Sequence, residues 1–336
     1  STLSEYNDES FGYNFNNNLL YRHSFNKKGR TISFNSRTGI NESDSDNDLL
    51  ALNQYYEETG DVNDTVNQLT DAYSKGYSLA AELMYTEPIS DFGQMYVRYR
   101  PSYSTNYSLS ETYNYDYDYD TYSIFDTILS SEYNNDYFTN HLGTGLRFNT
   151  GKMNLMAGVA VQRADLISNP VFPETMDIEK KFTNILPDAM LRITFSRSSN
   201  LRAHYRSNTQ APSLSQLQNV VDNSNPLSMT AGNPNLKQSY SHTVMTRYQL
   251  SNIMRSKFMY ILVYLRNTSD YISSATYTAA RDTLIGEGIV LNRGSQLTIP
   301  VNVDGYWNAR LFFTLGLPIE KIKSNLNFNT GITYSR

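Results

Sequence analysis

Apolar and polar residues alternate with a period of two through most of this chain, the pattern of strands with one apolar face. Phe11, Tyr13, Phe15, Leu19 and Tyr21 share a face, and beyond a turn at 26–29 so do Ile32, Phe34 and Ile40. The rhythm recurs over Tyr77–Tyr85, Met95–Tyr103, Phe138–Phe148, Met153–Val161, Ala189–Phe195 and Leu201–Tyr205. It continues over Val244–Leu250, Phe258–Leu265, Leu284–Leu291, Leu297–Val303, Leu311–Leu317 and Leu326–Tyr334. This predicts about fourteen strands.

The connections fall into two kinds. Short turns (26–29, 88–93, 149–152, 196–200, 251–255, 294–296, 318–323) alternate with mostly long segments (41–75, 114–136, 167–181, 209–239, 268–282). The exception is Asp304-Gly305, a short connection where a long one is due. Within the acidic 41–75 segment, Leu49–Tyr56 and Thr65–Tyr73 are expected to form short helices. Sorting of loops by end is the habit of membrane barrels, with short periplasmic turns and long external loops. The expected fold is all-β, a transmembrane antiparallel up-and-down β-barrel.

Arg98, Arg100, Arg147, Arg192, Arg202 and Arg206 repeatedly oppose the apolar set. In a barrel they face the lumen, because a basic side chain facing lipid at the midplane costs about 2–4 kcal/mol. In a soluble sandwich the same residues face water, so periodicity alone leaves both arrangements open.

Composition adds to this picture. Apolar residues are 39% of the 336 residues and mean hydropathy is −0.52, with no run of eighteen apolar residues for a membrane helix. A barrel escapes that test because only alternate residues meet lipid. There are 28 Tyr and 15 Phe against one Trp, and tyrosine suits both strands and membrane interfaces. The absence of Cys excludes disulfide scaffolds and thiolate metal sites. A net charge of −5 without a basic cluster argues against nucleic acid as a partner.

No catalytic pattern stands out. The histidines His23, His141, His204 and His242 lie far apart, and no HExxH, GxSxG or phosphate-binding glycine loop is present. Asp44, Asp46 and Asp48 begin like a calcium loop, but Leu49 and Tyr55 stand where its Gly and Glu belong. Neither an enzyme activity nor a metal or cofactor site is expected. The ladder Tyr113, Tyr115, Asp116, Tyr117, Asp118, Tyr119 and Asp120 is the candidate ligand-binding lip, combining rings that stack with carboxylates that accept hydrogen bonds.

One stretch carries a family signature. Arg206-x-x-Thr209-x-x-Pro212-Ser213-Leu214-x-x-Leu217 is followed by Asn225-Pro226 and by Gly232-Asn233-Pro234-Asn235-Leu236-Lys237. Each Asn-Pro pair marks a turn. The string resembles the pre-strand loop of TonB-dependent outer-membrane receptors, in their Bacteroidetes-type branch, although Gln238-Ser239 replace the family's Pro-Glu. The resemblance implies a barrel of about 22 strands around an N-terminal plug. It further implies import of a scarce siderophore, vitamin, glycan or peptide across the Gram-negative outer membrane. The partners it implies are outer-membrane lipid, the TonB–ExbB–ExbD complex through the plug, and a surface lipoprotein.

Both ends of the chain read as cut, with no signal segment before Ser1 and Arg336 inside an alternating stretch. The expectation is one barrel domain over 1–336, lacking plug and closing strands. The alternatives are a closed fourteen-stranded passive channel, in which Phe11–His23 would pair with Asn325–Tyr334, and a soluble or surface-anchored β-rich binding protein. The latter requires the Met153/Val159 and Leu311/Leu315 faces to pack on a second sheet.

Overall fold

The computed structural model describes residues 2–55, 62–127, 129–172, 178–217, 221–222, 225, 227–252, 256–285 and 289–336. In chain order the first strands are β1 (Thr2–Ser24), β2 (Thr31–Tyr55), β3 (Val62–Pro88), β4 (Gly93–Asp116), β5 (Thr121–Phe125) and β6 (Ser131–Asn149). Then come β7 (Met153–Phe172), β8 (Ile178–Ser196), β9 (Ser199–Gln210), helix α1 (Leu214–Leu217), β10 (Val221–Asp222), β11 (Ser228–Ala231) and β12 (Ser239–Asn252). The remainder are β13 (Lys257–Ser269), β14 (Tyr271–Thr278), β15 (Thr283–Leu284), β16 (Val290–Leu291), β17 (Gln296–Val303), β18 (Tyr306–Ile319) and β19 (Ser324–Ser335).

Twelve strands form one antiparallel sheet in the order β1-β2-β3-β4-β6-β7-β8-β9-β12-β13-β18-β19, with β5 added to the end of β4. Its registers put the apolar set on one face: Val97 opposes Tyr85 on one side and Thr144 on the other. That face is open, with Val97 41%, Leu142 59%, Val161 50% and Leu311 42% exposed. Among the described residues no second sheet covers it, so the sandwich alternative has no partner layer. An uncovered apolar belt on a sheet whose other face carries arginines is the inside-out pattern of a barrel in lipid.

The sheet holds twelve principal strands rather than fourteen. Leu284–Leu291 and Leu297–Val303 leave the barrel altogether: β15 pairs with β16, and β17 lies in a separate sheet, β10-β11-β17-β14. Instead β13 pairs directly with β18, Thr268 opposite Tyr306. Asp304-Gly305 is therefore no short loop between barrel strands, and the turn expected at 294–296 belongs to the second sheet. With those two strands removed, 270–305 is one long external connection, and Asp304-Gly305 lies inside it.

Residues 41–55 and 62–75 are also strand, not helix, and Tyr56 lies outside the described residues. β2 and β3 pair continuously from Thr31↔Thr86 to Tyr55↔Val62. Their period-two alternation persists with carboxylates in the outward positions, which hides it from a hydrophobicity reading. The long connections at 114–136 and 167–181 likewise shrink, because β4 runs to Asp116 and β7 to Phe172.

Strand lengths are uneven. β9 has 12 residues and β13 has 13, close to the roughly 9–11 that a tilted strand needs to cross a bilayer. β2 has 25 and β3 has 27, so more than half of each stands clear of lipid. One side of the barrel is a tall external wall. Among the described residues β1 pairs only with β2 and β19 only with β18, so the closure required by a small fourteen-stranded channel is not formed.

Candidate functional site: the lumenal wall and the external rim

All six arginines expected in the lumen share the face opposite the apolar belt. Arg98 opposes Gly143, Gln94 opposes Arg147, Arg192 opposes Arg202 and Asp188 opposes Arg206. The wall between Arg98 and Asp188 is stripped of side chains by Gly143, Gly145 and Gly158. This lets Arg98 reach across two strands to Asp188, Nη2 to Oδ1 3.6 Å. The Tyr96 ring lies across the same gap, and a Cβ on Gly145 or Gly158 would collide with its Oη.

Arg100 faces Glu82 at 3.8 Å and stands opposite His141. A cavity of about 300 Å³ opens here among Asn35, Arg37, Glu82, Arg100, Ser102 and His141. A second, of about 700 Å³, lies at the short-turn end among Lys27, Lys28, Gln94, Arg147, Asn149 and Asn154. Glu82, His141 and Asp188 were not singled out from the sequence. Asp188 was recoverable by counting back in twos from Arg192, but it follows Pro187 and so reads as the end of a loop.

At the same end a charged clasp joins neighbouring turns. Glu87 accepts from Lys27 Nζ at 2.6 Å, Arg30 Nε at 2.7 Å and Tyr85 Oη at 2.6 Å. These donors, Arg30 first, hold its carboxyl far below the usual carboxylate range.

The opposite end is acidic and tyrosine-rich. Tyr13 and Tyr73 both donate to Glu42 at 2.9 Å, and Tyr103 donates to Asp136 at 2.6 Å. The Tyr13 and Tyr73 bonds pull the Glu42 carboxyl down. Glu9, Asp46, Asp71 and Glu111 stand directly opposite one another across β1 to β4. Burial, and then Asp46 and Asp44, push the Asp71 carboxyl up. Among the described residues no group of three His, Asp or Glu side chains is arranged to hold a metal.

The tyrosine–aspartate ladder closes on itself at the β4–β5 hairpin. Tyr113 packs against Phe125, and Tyr115 against Tyr117 and Tyr122. Tyr115 Oη donates to Asp120, and Asp116 accepts the amides of Asp118 and Tyr119. Tyr117 and Tyr119 remain 68% and 79% exposed, so both rings present open surface at the tip.

The signature string has a structural task. Asn233 Nδ2 donates to Pro300 O at 3.0 Å, and Asn302 Oδ1 accepts the Lys237 amide at 2.8 Å. Lys237 Nζ lies 3.8 Å from Asp270. Pro234 sits in the turn in which Asn233 Oδ1 accepts the Asn235 amide, and the Leu236 amide reaches Asn233 O. The string thus ties the 211–238 connection to the 270–305 connection. Leu236 and Leu217 pack on Leu166, which lies on the lumenal face of β7, folding the string onto the inner wall at the mouth. Pro212 precedes α1, Gly232 leads into the Asn233 turn, and Asn225 Oδ1 accepts the Leu227 amide. Pro226 lies outside the described residues.

A family model described as the outer membrane protein beta-barrel family matches residues 23–336. The chain belongs to that family. This outer-membrane barrel therefore sits in the outer membrane of a Gram-negative cell, its apolar belt in lipid. A comparison with curated proteins found no significant match. Among solved structures the barrel is similar to the Serratia marcescens hemophore receptor HasR, in complex with its hemophore and heme, with TM-score 0.52 and 11% identity over 98% of this chain and 54% of that one. It is also similar to the ferric citrate transporter FecA (TM-score 0.53, 9% identity, 91% and 42% covered). The copper transporter OprC gives TM-score 0.51 and 12% identity, with 96% and 53% covered. The barrel spans about half the length of these proteins.

Proposed function

We propose that this barrel belongs to a TonB-dependent receptor that imports a scarce ligand of the siderophore, vitamin, glycan or peptide class. The observation that carries the reading is the lumenal face: arginines line its wall, and at the mouth the GNPNLK string folds onto it through Leu236 and Leu166. The similarity in fold to a hemophore receptor and to metal-chelate transporters supports it. In this reading residues 1–336 are one barrel domain, and further strands of the same protein cover the β1 and β19 edges, since an open edge is not tolerated in lipid. A plug in the lumen carries the contact to TonB–ExbB–ExbD, which supplies the energy.

The rim residues Tyr113, Tyr115, Asp116, Tyr117, Asp118, Tyr119 and Asp120 make the first ligand contact, through the exposed Tyr117 and Tyr119 rings. The test is growth on single limiting nutrients (heme, ferric chelates, cobalamin, glycans, peptides) in cells lacking the parent gene, TonB or both. One nutrient should fail equally in all three strains. Unimpaired growth on every nutrient without the gene, or a defect independent of TonB, overturns the proposal.

A further inference from the structure

The lumenal face of β8, β9 and β12 carries a row of arginines that the reading above does not assign. Arg192 stands opposite Arg202, and Arg202 opposite Arg247, so three guanidinium side chains leave adjacent strands at one height. Residues directly opposite lie about 5 Å apart at Cβ, within mutual reach of three such side chains. Four residues along, Arg206 and Arg266 flank Thr243. Among the described residues none of these five arginines has an ion pair, and Asp188, beside Arg206, faces Arg98. The Nε atoms of Arg202, Arg247 and Arg266 are buried without a hydrogen-bond partner.

Like charges set side by side with buried, unsatisfied donors are unfavourable unless negative charge joins them, from a free anion or from carboxylates of the plug proposed above. Guanidinium forks match planar or tetrahedral oxyanions, two donors to two oxygens. We propose that this row is a binding site for a small multivalent oxyanion, carrying two or more carboxylate or phosphate groups, in the periplasmic half of the lumen. Its height follows from Arg192, four residues before the short turn that follows β8. The inference rests on the reading of a ligand-conducting lumen, but binding needs no energy coupling, so its failure and the failure of TonB-dependent import are separate results.

The test is calorimetric titration of the purified full-length protein in detergent with tricarballylate and, separately, pyrophosphate, at about 20 mM and about 300 mM NaCl. Binding should weaken at the higher salt. R202Q/R247Q should lose about tenfold or more in affinity, R202K/R247K should lose less, and outward-facing R163Q should match the parent. Binding of tricarballylate alone assigns a carboxylate site, and of pyrophosphate alone a phosphate site. If R202Q/R247Q does not fold, R192Q supplies the test, with a loss of about threefold. Binding of neither anion, or equal affinity in parent and glutamine variants, overturns the proposal. So does a folded R202Q/R247Q of lowered thermal stability in a protein that binds no anion, because the row then pairs with the protein's own carboxylates.

Discussion

At the scale of single residues, one contact holds neighbouring strands in place on the lumenal side and another at the short-turn end. Tyr96 lies across Gly145 and Gly158, and the Ala157 carbonyl sits 2.5 Å from where a Gly145 Cβ would be. G145A should therefore destabilise the barrel by about 1–3 kcal/mol, read as the urea midpoint of heat-modifiable folding. Y96A should relieve part of that cost in the double variant; strict additivity would disprove the contact. The Glu87 clasp sets a pH dependence. Its folded pKa is depressed, so its contribution is present above the unfolded value near 4.5 and fades only as pH falls well below it. Thermal midpoints of parent and E87Q should differ at neutral pH and converge in strong acid. The arginines were legible because charge opposite an apolar rhythm stands out. Gly145 and Asp188 were not, since their importance lies in what crosses two strands away.

At the scale of elements, the pattern located every principal strand of the barrel but misjudged where several end. β2 and β3 continue through Asp44, Asp46 and Asp48 because their pairing lies outside lipid, where acids are as welcome on a strand face as leucines are within it. Amide exchange should accordingly protect 43–52 and 65–74, the segments read from sequence as helix or loop; exchange at free-coil rates would contradict the extended hairpin. The opposite error befell Leu284–Leu291 and β17, whose alternation is that of barrel strands but whose apolar residues serve a small cluster around Met229, Leu291 and Leu297. Periodicity identifies a strand without saying which sheet receives it. The Asn233 and Asn302 bridges fasten that second sheet to the signature loop, so N233A should cost about 1–2 kcal/mol locally. Faster tryptic cleavage at Arg281 and Arg293 on intact cells would report it.

At the scale of the whole molecule, removing two strands from the expected fourteen turned the Asp304-Gly305 exception into part of one long external connection, 270–305. Closure was not legible from alternation, which fixes faces and not partners. Among the described residues the β1 and β19 edges each present an unpaired ladder, so the isolated 1–336 chain should self-associate in detergent. Sedimentation showing a stable monomer would contradict this. The uneven strand lengths carry a further consequence. The upper parts of β1 to β4 receive nothing from the bilayer and are crossed by the row Glu9, Asp46, Asp71 and Glu111. Dissolved ions screen such a row, while the lipid-bound belt has no comparable row to screen. The cell thus exposes a blade that stiffens in brine and slackens in fresh water, rooted in a base indifferent to both.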